Sequence, residues 1–253
     1  MNNKLVLAFS GGADSSVLLY MAAQRGYKEI HTVTFDYGQR HRREMECIPL
    51  QIQYLTRSYP DIIVTNKVLD VSYLKEISPT SSLTNLDIDN PDISKMAGDA
   101  QPVSYVPFRN QMFLTICCAY AESMKASTVW YGAAQIDSAA GYWDTTDSFV
   151  SSFNSLVELN RTHKITIEAP LLTMSKKDIV LEGIKLGVMF EYTWTCYSSR
   201  EDGFADATTP SSSLRLRGFI DSGYEDPIRY LQQDKIDIIY AEHNCKKLHS
   251  VTS

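Results

Sequence analysis

Apolar and polar positions fall in alternating blocks along this chain. Leu5-Val6-Leu7-Ala8-Phe9 is an unbroken apolar run. Ser10-Gly11-Gly12-Ala13-Asp14-Ser15-Ser16 interrupts it, and Val17-Leu18-Leu19-Tyr20-Met21 resumes it. A short continuous run bounded by turn residues fits a strand buried on both faces, followed here by a helix. The same reading predicts strands at 4–9, 30–35, 62–69 and 127–133. It predicts helices at 15–25, 40–58, 109–125, 147–160, 175–186 and 226–243. This βαβα alternation points to an α/β fold: a Rossmann-like, doubly wound, mostly parallel sheet with helices on both faces. Residues 76–104, rich in Ser, Thr, Asn, Asp and Pro, read as a loop or lid, and 195–224 read as a second polar loop. The expected division is a nucleotide-binding domain over 1–194 and a small helical and loop appendage over 195–253.

At 253 residues with 44% hydrophobic positions, the chain has enough apolar material for one large domain with a small addition. A formal charge of −6 argues against a dedicated nucleic-acid surface. No apolar stretch is long enough to span a bilayer and no signal-peptide layout is present, so a cytoplasmic location is expected. The five cysteines form no disulfide framework and no C-x-x-C pair.

The interruption after the first strand carries chemistry. Gly11 and Gly12 permit positive φ and close approach of a ligand. Successive N–H groups and the positive end of the next helix make an anion nest, to which Ser10, Ser15 and Ser16 add hydroxyls. In a doubly wound sheet, the carboxyl end of the first strand is where ligands bind. Phe9 through Ser16 are therefore expected to hold a phosphate group. The loop lacks the Lys-Ser/Thr ending of a Walker A motif. Ser-Gly-Gly-x-Asp-Ser instead resembles the pyrophosphate loop of the ATP pyrophosphatases.

Further motifs follow in order: Phe35-Asp36-Tyr37-Gly38-Gln39-Arg40-His41, Ser81–Thr84, Val106-Pro107-Phe108-Arg109-Asn110, Asp137–Asp144, Pro170–Asp178 and Thr193–Tyr197. Together they resemble the 7-cyano-7-deazaguanine synthase family, the queuosine-pathway branch of those enzymes, over roughly residues 4–220. The resemblance implies an adenine nucleotide alpha hydrolase-like fold and an AMP-forming carbon–nitrogen ligase. ATP would activate the carboxylate of 7-carboxy-7-deazaguanine, and an amine would then displace AMP. The implied catalytic residues are Asp14, which is also the Mg2+ contact, Lys176 and Arg109. The implied deazaguanine contacts are Tyr37, Gln39, Arg40, Phe108, Arg109, Asn110, Asp137, Tyr142 and Asp144. Plainer roles stand beside these. Arg40 fits a solvated partner of a helix cap at Asp36, Arg109 a structural contact of its loop, Lys176 a surface charge, and Asp144 an N-cap of helix 147–160.

The chain departs from the family pattern twice. The family binds zinc with four cysteines. Here Cys196 remains, and Asp206, Thr209 and Ser212 align with the other three, so zinc is not expected. The family's Tyr-Pro-Asp-Cys-Arg stands here as Tyr142-Trp143-Asp144-Thr145-Thr146. The sequence thus resembles divergent branches associated with antiviral defence, some of which are thought to join the deazaguanine acyl group to a protein amine. The expected product is an amide, made with ammonia or with a protein amine, by a homodimer with no nucleic-acid or membrane partner. A housekeeping nitrile-forming synthase, a different ATP pyrophosphatase and a non-catalytic nucleotide-binding scaffold are the alternatives.

Overall fold

A computed structural model describes residues 3–38, 42–85, 87–88, 104–135, 137, 141–196 and 203–248. Gln39 and Arg40, and most of the expected lid, lie outside the described residues.

The core is one sheet of five parallel strands in the order β3-β2-β1-β4-β5. The strands are β1 (Lys4–Ala8), β2 (Glu29–Asp36), β3 (Ile63–Asp70), β4 (Thr128–Trp130) and β5 (Thr166–Glu168). β1 is central, with Leu5 opposite Ile30 of β2 on one side and Thr128 of β4 on the other. Its side chains alternate between the two layers. Leu5 and Leu7 pack under α1 (Ala13–Gln24), α2 (Arg42–Ser58) and α6 (Lys176–Leu186), while Val6 faces α4 (Arg109–Met124) and α5 (Asp147–Val157). Leu5, Val6 and Leu7 are fully buried, which is why their stretch of sequence is apolar without a break.

Three expectations are corrected. β5 is an additional strand, held by parallel pairing of Ile167 with Val129. Residues 195–224 are not all loop, because α7 spans Pro210–Ser222. The helix expected over 226–243 begins only at Gln233, as α8 (Gln233–Glu242), because Ala205 bridges to Tyr230 just before it. A single helical turn, α3 (Leu74–Ile77), follows β3.

The C-terminal segment has its own small apolar cluster of Trp194, Cys196, Ala205, Leu216, Ile228, Tyr230, Ile236 and Tyr240. A buried hub ties it to the rest. Arg215 grips Asp226 with both arms, at 2.7 Å from Nε and 2.9 Å from Nη2. Arg215 also donates from Nη1 to Thr193 Oγ1 at 2.7 Å and from Nη2 to the Phe190 carbonyl at 3.1 Å. Tyr230 donates its hydroxyl to Asp226 at 2.7 Å. Among the described residues no helix is long and apolar enough to cross a membrane.

Candidate active site

The strand order reverses direction between β1 and β4, so the loops leaving these two strands part and open a crevice. A cavity of about 380 Å3 occupies that place. Phe9, Ser10, Gly12, Ala13, Asp14 and Ser15 line it from the β1 loop, and Tyr131, Gly132 and Ala133 from the end of β4. Tyr37, Arg109, Asn110, Asp137 and Tyr142, all expected in the site from sequence, line it as well.

The β1 loop is shaped by a close approach. Gly11 has φ +89°, and a Cβ there would stand 2.2 Å from the Glu44 carbonyl oxygen at the start of α2. Gly12 has φ −74°, so positive φ is not its reason. A Cβ on Gly12 would meet Glu44 Oε1 at 2.4 Å. Ser15 donates to the Gly12 carbonyl at 3.1 Å and lies 3.2 Å from the Ser10 hydroxyl, which braces the turn. Gly11 itself and the buried Ser16 are not on the cavity wall.

Asp14 meets Lys176 across the cavity's edge. Lys176 Nζ lies 2.7 Å from both Asp14 oxygens. Its position has two causes. Ser175 caps α6 in a reciprocal capping box with Asp178, which fixes Lys176 as the first helical residue. Gly218 of α7 has no side chain where the Lys176 stem passes, since a Cβ there would be 2.5 Å from Lys176 Cγ. Lys176 is therefore not a loose surface charge.

Arg109 and Asn110 open α4 directly after Phe108, which adopts φ +55°. A left-handed backbone is uncommon for a bulky residue and marks a constrained site. The Phe108 N–H donates to the Tyr105 hydroxyl at 3.1 Å, and Trp143 Nε1 donates to that hydroxyl at 2.7 Å. Phe108 and Trp143 then meet edge to face at 5.4 Å. Phe108 stands exposed beside the cavity rather than on its wall. Asp144 is also off the wall. It is buried, with its carboxyl group held by Asn110 and facing Arg109. Thr146, not Asp144, caps α5, accepting from the Phe149 N–H at 3.2 Å.

Two carboxyl groups in the wall are shifted towards neutrality. Burial pushes Asp137 up to about 6, against the Ala134 N–H that it accepts at 2.9 Å. Burial pushes Glu44 up to about 7, opposed by the neighbouring Ser10 hydroxyl, the charge of Arg109 and the nearby Gly12 N–H. Glu44 was not expected in the site. Its only sequence signal is a carboxylate on the first turn of the helix after the Phe35–His41 motif.

The positions aligned with the family's zinc cysteines do come together. Cys196 Sγ accepts from the Asp206 N–H at 3.2 Å and lies 3.9 Å from Thr209 Oγ1, which in turn lies 2.9 Å from Ser212 Oγ. One sulfur with hydroxyl neighbours does not fit a four-cysteine zinc site. Among the described residues, no three His, Cys, Asp or Glu side chains are grouped so as to hold a metal ion.

The family model described as queuosine biosynthesis protein QueC matches residues 4–223. The chain belongs to the QueC family. Relatives named 7-cyano-7-deazaguanine synthase align along nearly their whole length. The one from Thermoplasma volcanium is 36% identical over 91% of this chain and 92% of its own. The one from Clostridium kluyveri is 36% identical over 90% of this chain and 97% of its own. A solved 4-thiouridine synthetase–RNA complex with bound ATP is similar at TM-score 0.49 and 18% identity, over 95% of this chain and 53% of that one. That distance carries nothing about ligands. As a QueC-family member, the chain is an ATP-using enzyme.

Proposed function

We propose that this enzyme adenylates the carboxylate of 7-carboxy-7-deazaguanine, or a close analogue, and passes the acyl group to an amine. The observation that carries the reading is the Asp14–Lys176 pair beside a glycine-shaped loop, with Asp14 and Arg109 lining one cavity. A carboxylate is a poor electrophile until one oxygen becomes part of a good leaving group. Its oxygen attacks the α-phosphorus of ATP and pyrophosphate leaves. The amine nitrogen then attacks the acyl carbon, loses a proton, and AMP leaves. The protein's share is positioning and charge. The N–H groups of the loop and the hydroxyls of Ser10 and Ser15 receive the phosphates. Lys176 and Arg109 oppose the charge that develops on them.

Mg2+ arriving with ATP fits one carboxylate plus phosphate oxygens, and Asp14 is the residue that would hold it. The ion would supply further neutralisation of the phosphates. The deazaguanine ring is assigned to the wall formed by Tyr37, Asn110, Asp137 and Tyr142, with Gln39 and Arg40 as further contacts.

Amide is the favoured product. In place of the family's Pro, Cys and Arg, this chain carries Trp143, Thr145 and Thr146, and Trp143 packs on the exposed Phe108. That replacement removes a cation and supports a site that accepts an amine larger than ammonia, on a protein or peptide, as in an antiviral role. The nitrile reading draws support from the names of the relatives. A homodimer is part of the proposal, supported by the exposed Ile63 and Val68 on edge strand β3. Mass spectrometry of products formed from ATP, Mg2+ and the acid decides between the outcomes, with ammonia or with candidate protein amines. An amide or a protein adduct supports this reading. Efficient release of the free nitrile returns the enzyme to the synthases its relatives are named for.

A further inference from the structure

A carboxyl group already stands against the Ser10–Ser16 loop. Glu44 sits on the first turn of α2, and its carboxyl group stands beside the Ser10 hydroxyl and the Gly12 N–H, which itself donates to Ser10 Oγ at 3.2 Å. Those two donors are the ones an incoming phosphate needs. The fit is close, because Glu44 Oε1 lies only 2.4 Å from where a Gly12 side chain would begin. Glu44 lines the same cavity as Asp14 and Arg109. Nothing in the adenylation chemistry above uses it.

We propose that Glu44 and the pyrophosphate moiety compete for the same donors, so that Glu44 must take up a proton or leave when phosphate enters and drives pyrophosphate out when it ionises again. This rests on the reading of the loop as the pyrophosphate site. The charge argument is direct. An ionised carboxylate beside a polyphosphate places like charges within contact distance in a partly desolvated cavity, where repulsion is severe. A neutral carboxyl group instead offers an O–H donor to a phosphate oxygen. Burial already leaves the Glu44 carboxyl at about 7, so the exchange costs little near neutrality. The groups that face it are Asp14 from α1, Arg109 from α4, Tyr37 from the end of β2 and Cys47 along α2. Asp14 and Arg109 act on it in opposite directions, Asp14 towards the neutral form and Arg109 towards the ionised one. After ATP is cleaved, loss of the Glu44 proton to solvent restores the internal anion and frees the loop for the next nucleotide.

Titration calorimetry of inorganic pyrophosphate tests this in the full-length wild-type enzyme and in Glu44→Gln, from pH 6 to pH 8.5. Pyrophosphate titrates identically in both experiments, so the difference between the proteins isolates Glu44. For a group ionising near 7 that must be neutral to admit the ligand, wild-type affinity should fall ~10-fold relative to the variant between pH 6 and pH 8. Wild-type protein should also take up close to one more proton per pyrophosphate than the variant at pH 8, read from two buffers of different ionisation enthalpy. Parallel pH profiles and equal proton uptake would overturn the competition while leaving the loop assignment intact. No pyrophosphate or ATP binding by either protein would overturn both. Should the Gln variant fold poorly, Glu44→Ala serves as the reference instead, and equal proton uptake by the wild type and that variant at pH 8 refutes the proposal.

Discussion

Lys176 and Asp14 are 162 residues apart in sequence and 2.7 Å apart in space, with the ammonium bridging both carboxylate oxygens. The pair joins the start of α6 to the start of α1, the helix that follows the Ser10–Ser16 loop. In the proposed reaction it would place a fixed cation where a leaving pyrophosphate accumulates charge. Lys176→Met is expected to lower ATP-dependent pyrophosphate release by ~100-fold, the usual scale for losing one electrostatic contact to a transition state. A release assay with the deazaguanine acid present checks this, and Lys176→Arg should recover only part of the loss because a planar fork replaces a point charge.

Gly11 and Gly26 share φ +89° but not their surroundings. A Cβ on Gly11 would strike the Glu44 carbonyl, whereas nothing lies within 4 Å of one on Gly26. Gly26→Ala should therefore show only backbone strain, about 1–2 kcal/mol. Gly11→Ala must also push α2 away from the loop, so it should lower the melting temperature further and abolish nucleotide binding. Thermal unfolding of both variants, with and without ATP, measures the contrast.

Where the resemblance implies zinc cysteines, Cys196, Thr209 and Ser212 make hydrogen bonds instead, and Arg215 ties the C-terminal segment to the rest of the fold. Removing one member of a buried ion pair typically costs about 3–5 kcal/mol. Arg215→Met should fall in that range by urea unfolding. It should also slow turnover, because Pro210, Ser211 and Leu214 of the same helix line the cavity. A metal assay of protein purified without added zinc should find far less than one zinc per chain.

Stability should respond to pH through the two raised carboxyl groups. Folding favours the neutral form of Glu44, moved from 4.5 to about 7, and of Asp137, moved from 3.8 to about 6. Their contribution is complete below the lower value of each pair and is lost as pH rises through the upper one. Glu44→Gln should therefore melt above the wild type at pH 8, with the difference shrinking toward pH 4.5.

Much of the architecture was legible because it is local. The apolar run, the loop and the helix from Lys4 to Gln24 are contiguous, and each boundary has its own residue signal. β5 was hidden because it is three residues long with one buried apolar residue, Ile167, and exists by pairing with β4. α7 was missed beneath its serines, although Pro210 at its first turn and Gly223 at its end mark both boundaries. Asp14 and Arg109, which line the cavity, and Lys176, which pairs with Asp14, all fall within motifs. Glu44 does not, and its place depends on how α2 packs across the loop, which no spacing in the chain encodes. Asp144 read as a substrate contact, and the fold turns it instead toward Asn110 and Arg109.

The central claim is an acyl-adenylate made at the Ser10–Ser16 loop, and isotope exchange of labelled pyrophosphate into ATP tests it most directly. The account predicts exchange that requires the deazaguanine carboxylic acid, proceeds without any amine, and disappears in Asp14→Asn. Exchange indifferent to the acid, or ATP consumed to ADP and phosphate with no exchange, would contradict it.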